Sequence, residues 1–217
     1  MTEFQELIEI QHEVMRIGLP LVLKPTRNGS SIGISLVKDM NNLQLALEKA
    51  FEFGYEVIIE KYIKGREFTI GILDDKALPI IEIKPAMEFF DYDAKYKDDR
   101  TEYLIVKTTL RENGEAVGAP PRNVGFLSSS QCDEAQELAL NAHRVLGCKG
   151  FSRVDMLLDD QNEFSLLEVN TIPGFTEKSL LPKAARAAGI SFSSLCEKIV
   201  DLAFQSVLVS VDETIQK

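Results

Sequence analysis

FSRVDMLLDDQNEFSLLEVN, residues 151 to 170, is the stretch whose reading decides the fold. Two apolar-rich runs, Phe151 to Leu158 and Phe164 to Asn170, flank a polar break and read as the strands of a hairpin. With Gln161 and Asn162 as a two-residue loop, Asp155 lies opposite Glu168 and Arg153 opposite Asn170. Residues two apart on a strand point the same way and opposed residues share a face, so two carboxylates, an amide and a guanidinium converge. A three-residue loop would break that alignment, because a one-residue slip turns every side chain to the other face. Oxygen donors of this kind suit a hard cation such as magnesium, with positions left for phosphate oxygens and water, and Arg153 suits a developing anion. The alternative, on spacing alone, is the solvated, charge-paired outer face of an ordinary hairpin.

Downstream, TIPGFTEKSLLP (171 to 182) puts Gly174 in a turn and leads into a helix near Ser179, where backbone N–H groups and a hydroxyl can hold a carboxylate. Two helices close the chain. Upstream, Asp133 to Leu146 reads as a helix, Arg111 to Ser130 as a Gly/Pro-marked surface insertion, and Pro85 to Tyr103 as a long mobile loop rich in aromatics. Tyr55 to Tyr62, Glu67 to Leu73 and Leu78 to Lys84 read as strands, and Asn42 to Phe53 as a helix stopped by Gly54. Leu21 to Lys24 and Ile34 to Val37 form a strand pair around a polar turn, preceded by a helix from Phe4 to Ile17 that stops at Gly18. The fold class is therefore mixed α/β.

In LVLKPTRNGSSIGISLV (21 to 37) a glycine- and serine-rich loop exposes N–H groups and hydroxyls, and Lys24 at its root offers a point charge to phosphate. Taken alone, the segment is a plain tight turn. The chain contains neither a Gly-Lys-Ser/Thr run nor G-x-G-x-x-G, so both common nucleotide fingerprints are absent. In EKYIKGREF and DYDAKYKDDRTEY, Glu60 and Glu67 could bond an adenine amine and ribose hydroxyls, and Lys95 could swing onto a phosphoryl group. As bare spacing these are strand ends and a charged loop. His12 and His143 lack ligand-spaced partners and read as surface or packing residues.

Composition narrows the partners. The 217 residues carry 24 Lys plus Arg against 34 Asp plus Glu, a net charge of -10, which opposes loose binding to nucleic acid or an anionic membrane. Hydrophobic residues at 45% and charged residues at 27% exclude disorder and fibrous repeats. Three cysteines without a C-x-x-C pair fit a reducing compartment, and no signal-like or bilayer-length apolar run is present, so a cytoplasmic location is expected.

The ordered combination of a strand-end lysine, a Gly/Ser loop, a Lys-Tyr loop, R-x-D, E-x-N and P-G resembles the ATP-grasp fold. Within it, KPTRNGSSIG, EKYIKGREFT, FFDYDAKY, RVDMLLD, LLEVNTIPGFT and SLLPKAARAAGISF resemble the D-alanine--D-alanine ligase family, from about Leu19 to Ala203. The resemblance implies two lobes of sheet and helix with ATP between them. Residues 1–67 would form the central lobe, and residues 68–217 the C-terminal lobe with a mobile loop at 85–103. It implies ATP-driven joining of two D-alanines through an acyl phosphate, for peptidoglycan synthesis. Related D-Ala–D-Lac or D-Ala–D-Ser ligases, and an ATP-binding remnant, are the alternatives.

By the same resemblance Lys24 contacts the phosphates, Ser30 helps its loop close, and Glu60, Lys61, Ile63 and Glu67 frame adenine and ribose. Lys95 reaches the phosphoryl group beside Tyr96. Asp155, Glu168 and Asn170 hold two Mg2+ or Mn2+ ions, Arg153 and the Gly174 N–H stabilise the oxyanion, and Ser179 and Leu180 take the second D-alanine's carboxylate. A homodimer is compatible with the resemblance. Lys178 stands where many members have histidine, and LIVKTTL after Tyr103 departs from the usual proline-containing segment. The resemblance begins inside the family's central domain, leaving no counterpart to its N-terminal domain, so incomplete turnover by the isolated chain is expected.

Overall fold

A computed structural model describes residues 10, 12–27, 32–84, 101–108 and 125–215, the side chains of 108 and 206–215 excepted. The chain divides into two compact units, Met1–Lys64 with Pro85–Glu102, and Gly65–Lys84 with Tyr103–Lys217.

In the first unit, β1 (Leu21–Pro25) is the centre of a three-stranded antiparallel sheet, between β2 (Ser35–Val37) and β3 (Val57–Lys61). Helical residues 12–17 end at Gly18, whose φ of 82° lets its N–H turn back to the Val14 carbonyl. A 3-10 turn capped by Asp39 runs into α1 (Leu43–Phe51), close to the expected helix. Alternation along β1 sends Leu21 and Leu23 into a core with Val14, Val37, Leu43 and Leu47. Lys24 is thereby left on the other face. Gly33 ends the polar loop at φ 77°, and a Cβ there would stand 2.7 Å from Phe53, so only glycine fits.

The second unit is built on a seven-stranded sheet in the order β10-β9-β4-β6-β7-β8, with β5 also paired to β4. Its strands are β4 (Gly65–Leu73), β5 (Lys76–Ala77), β6 (Ile81–Lys84), β7 (Glu102–Thr108), β8 (Gly125–Leu127), β9 (Phe151–Asp159) and β10 (Phe164–Asn170). The run Phe68 to Leu73 is buried throughout because β4 is covered on both faces. On one face α2 (Ser129–Val145) packs Ala135 and Ala139 onto Phe68, Ile70, Val154 and Met156. On the other, α3 (Leu180–Ala187) and α4 (Phe192–Ile215) bring Leu181, Ala184, Ala185 and Leu195 onto Leu73, Leu78 and Ile81.

Two sequence readings change here. The stretch taken as a surface insertion, Arg111 to Ser130, contains β8, a strand with Gly125 and Leu127 buried, and runs into α2, while β7, not anticipated as a strand, pairs with β8 in parallel. Three residues are too few to display a strand's period. A Cβ at Gly125 would lie 2.8 Å from Glu82 Oε2, an oxygen held by Arg66, so a larger residue there would have to displace that carboxylate. Helix α2 begins four residues earlier than expected, and Ser128 and Gln131 form a reciprocal capping box that was present in the sequence. Residues 109–124 and 85–100 lie outside the described residues.

Candidate active site

The β9–β10 hairpin reaches the expected alignment by a different route. Asp159 N–H donates to the Glu163 carbonyl, residues 160–162 make a three-residue turn, and Asn162 takes the left-handed conformation at φ 65°. Asp159 Oδ1 accepts from the N–H groups of Gln161 and Glu163 (2.8 and 2.9 Å) and holds the turn. From this turn Phe164 opposes Leu158 and Leu166 opposes Met156, on the face covered by α2, where Phe164 meets Phe68 edge-on at 6.2 Å. Continued regularly, that register would send Glu168 to the same face. A β-bulge between Leu166 and Glu168 absorbs one residue, and beyond it Glu168 opposes Asp155, Val169 opposes Val154 and Asn170 opposes Arg153. The turn thus satisfies the core, and the bulge delivers Glu168 and Asn170 to the opposite face.

There Arg153 grips Asp155 with its fork, Nε to Oδ1 at 2.9 Å and Nη2 to Oδ2 at 2.6 Å, and Nη2 lies 3.7 Å from Glu168 Oε1. Asp155 is buried at 3% exposure, and its Oδ1 also accepts from the Thr69 hydroxyl at 2.6 Å. Thr69 escaped the sequence reading because it sits in an apolar run and meets Asp155 only through the β4–β9 register, in which the two are opposite. The Glu168 side chain is half exposed. Asn170 Oδ1 accepts from the Ile172 N–H at 3.0 Å, turning the chain out of the strand.

This donor set fits a hard divalent cation. Among the described residues no three His, Cys, Asp or Glu side chains gather at one point, so a cation here would be held by two carboxylates and the Asn170 amide. Asp155 Oδ1 is engaged by Thr69 and Arg153, whereas Oδ2 receives only Arg153 Nη2 and keeps a lone pair.

The following loop is anchored by Phe175 against Phe151 and Phe192. Gly174 lies close against Ser179, where an added Cβ would stand 3.3 Å from Oγ. Ser179 occupies the N-cap of α3, yet its hydroxyl is turned to Thr176, accepting from its N–H at 3.0 Å, and makes no cap bond. Leu180 opens the helix, and Pro182 in its first turn has no N–H to offer. Burial holds the Lys183 amine below its ordinary range, with a smaller push from Lys178, and Lys183 Nζ sits 4.2 Å over the Tyr103 ring.

In the first unit Lys24 Nζ pairs with Glu60 Oε1 at 2.8 Å on the face away from the core. Lys61 is exposed and Ile63 half-buried. Glu67, in β4 of the second unit, is half-buried and shares the Thr69 face by alternation. Ser30, Lys95 and Tyr96 lie outside the described residues.

A mixed α/β chain of antiparallel and mixed sheets with this carboxylate-bearing hairpin has the ATP-grasp fold. More narrowly, the chain belongs to the family described as D-ala D-ala ligase C-terminus, whose model matches residues 2–118 and 125–201. It is similar to the crystal structure of D-alanine--D-alanine ligase from Bacillus anthracis complexed with ATP, with 36% identity, TM-score 0.68, and coverage of 89% of this chain and 55% of that one. A second structure of the Bacillus anthracis ligase matches with 39% identity, TM-score 0.70 and coverage of 95% and 59%. VanG D-Ala:D-Ser ligase from Enterococcus faecalis matches with 33% identity, TM-score 0.72 and coverage of 93% and 55%. The chain spans under three fifths of the length of these solved structures. Among the described residues no helix is long and apolar enough to cross a membrane.

Proposed function

We infer that the chain carries the cation-binding and oxyanion-stabilising part of an ATP-dependent D-alanine--D-alanine ligase serving peptidoglycan synthesis. In that reaction ATP phosphorylates the carboxylate of one D-alanine, the amine of a second attacks the acyl carbon, and phosphate leaves as the peptide bond forms. The observation that carries the reading is the convergence of Arg153, Asp155, Glu168 and Asn170 on one face of β9–β10 in a member of this family.

Divalent cations, when bound, supply neutralisation of phosphate charge. Asp155, Glu168 and Asn170 would hold Mg2+ or Mn2+, and Arg153 is close enough to shift from carboxylate to a developing oxyanion. The Gly174 N–H is the second oxyanion donor. Ser179 takes the second substrate's carboxylate, once its hydroxyl turns from Thr176, together with the Leu180 N–H at the start of α3. In the three-stranded unit Lys24 is the phosphate contact, exchanging Glu60 for it, while Glu60, Lys61 and Ile63 frame adenine. In the other unit Glu67 is the ribose contact. Ser30, Lys95 and Tyr96 keep the roles the family resemblance implies. Three free cysteines suit the cytoplasm, where both substrates would be met.

Calorimetric titration with ATP, with manganese present or chelated, tests the reading. Metal-dependent ATP binding that Asp155→Asn removes is expected; equal binding in EDTA would refute it. The VanG match favours one second reading, D-serine as second substrate, and assaying amino-acid-dependent phosphate release with D-alanine against D-serine decides between them.

A further inference from the structure

We propose that Thr69 is a positioning residue for the Asp155 carboxylate, fixing which of its oxygens is offered to the cation; this rests on the ligase reading of the site. Thr69 is 2% exposed and stands directly opposite Asp155 in the antiparallel β4–β9 pair. Its hydroxyl lies 2.6 Å from Oδ1, the oxygen that also receives Arg153 Nε at 2.9 Å. Those two donors use the lone pairs of Oδ1, so the free lone pair is on Oδ2. The placement is stiff, because threonine is branched at Cβ and its rotamer is restricted in a strand. Its side chain is enclosed between strands: Asp155 opposes it from β9 and the buried Ile81 from β6, while Phe68 and Ile70 on either side of it in β4 point to the other face. A hydroxyl in such a place costs stability unless bonded, and Asp155 Oδ1 is its bonded partner.

Without Thr69, Arg153 alone orients Asp155, and the same guanidinium is asked to serve the oxyanion. The threonine keeps the carboxylate plane fixed while Arg153 changes partners. Outer residues that orient metal ligands typically contribute about 10- to 100-fold to metal affinity.

The test uses the full chain, a non-hydrolysable ATP analogue and manganese, with bound Mn2+ read by electron paramagnetic resonance. Thr69→Val, which keeps shape and removes the donor, is expected to weaken Mn2+ about tenfold or more. Thr69→Ser, which keeps the donor, is expected to stay within about twofold of the unmodified chain on the same scale. Asp155→Asn serves as reference, and Thr69→Ala replaces the valine variant if that one does not fold. If Asp155→Asn weakens Mn2+ but Thr69→Val does not, Thr69 is structural and the proposal fails alone. If Asp155→Asn leaves Mn2+ unchanged, the ligand assignment fails and the proposal with it. Equal weakening by serine and valine would also overturn it, since loss of the donor would not be the cause.

Discussion

Asp155 and Glu168 face each other on one hairpin, yet truncating them should have very different consequences for stability. The Asp155 carboxylate receives three hydrogen bonds, from Thr69 and two arms of Arg153, and its side chain is 5% exposed. Replacing it by alanine takes the acceptor from a buried hydroxyl and from a guanidinium whose side chain is 14% exposed. Breaking such a buried pair from one side costs about 3–5 kcal/mol. Glu168 Oε1, at 3.7 Å from Arg153 Nη2, is beyond hydrogen-bond reach but close enough to offset part of the lost charge. The lower end, about 3 kcal/mol, is therefore expected, or roughly 6–12 °C in melting temperature for a chain of this size. Glu168→Gln, at a side chain 53% exposed, should change stability by about 0.5 kcal/mol or less. Urea denaturation in EDTA, followed by circular dichroism, compares the two directly. Asp155→Ala as stable as Glu168→Gln would refute the reasoning, and a gain would mean that repulsion from Glu168 outweighs the satisfaction Arg153 provides.

Two further outcomes follow from the second unit. His143 is buried with Nδ1 2.7 Å from Ser152 Oγ, and burial pushes its imidazole below the ordinary range, only partly opposed by Asp75. A base whose folded value is lowered binds fewer protons in the native state, so stability is full above the ordinary histidine value, about 6.5, and falls as pH drops below it. Denaturation midpoints across that range should lose this slope in His143→Gln, and an unchanged slope would assign it elsewhere. Arg66 grips Glu82, 3% exposed, through bonds of 2.8 and 3.0 Å and also donates to the Phe126 carbonyl at 2.9 Å. Arg66→Met should cost about 2–3 kcal/mol, reduced from the fully buried figure because the arginine is half exposed, and Glu82→Gln in that background should recover part of it. Thermal melts that leave Arg66→Met unshifted would remove β8 from this clamp's charge.

Much of the site was legible because its residues are close in sequence and a strand has a fixed two-residue period. The opposition of Asp155 and Glu168 was counted from a two-residue loop, and it holds in a hairpin with a three-residue turn because the bulge before Glu168 offsets the extra residue. Thr69 was not legible, because its 86-residue separation from Asp155 is closed only by the pairing of β4 with β9. The same holds for the Lys24–Glu60 pair, whose members were read as separate contacts of a nucleotide and stand 36 residues apart. Strand β8 was missed for another reason: three residues carry too little pattern, and its glycine answers to a buried carboxylate on β6.

Amino-acid order by itself determined the alternation of apolar and charged positions, and with it the hairpin, the helix stops at Gly18 and near Gly54, and the ligase motifs. Tertiary structure alone decided the register. Phe164 must meet Phe68 beneath α2, which forces a three-residue turn, and the bulge before Glu168 then restores the carboxylates to the opposite face. A local count cannot choose between a short turn and a longer turn with a bulge, since both bring Glu168 opposite Asp155. Burial of one phenylalanine against a strand distant in sequence makes that choice, because core packing tolerates only one face for it.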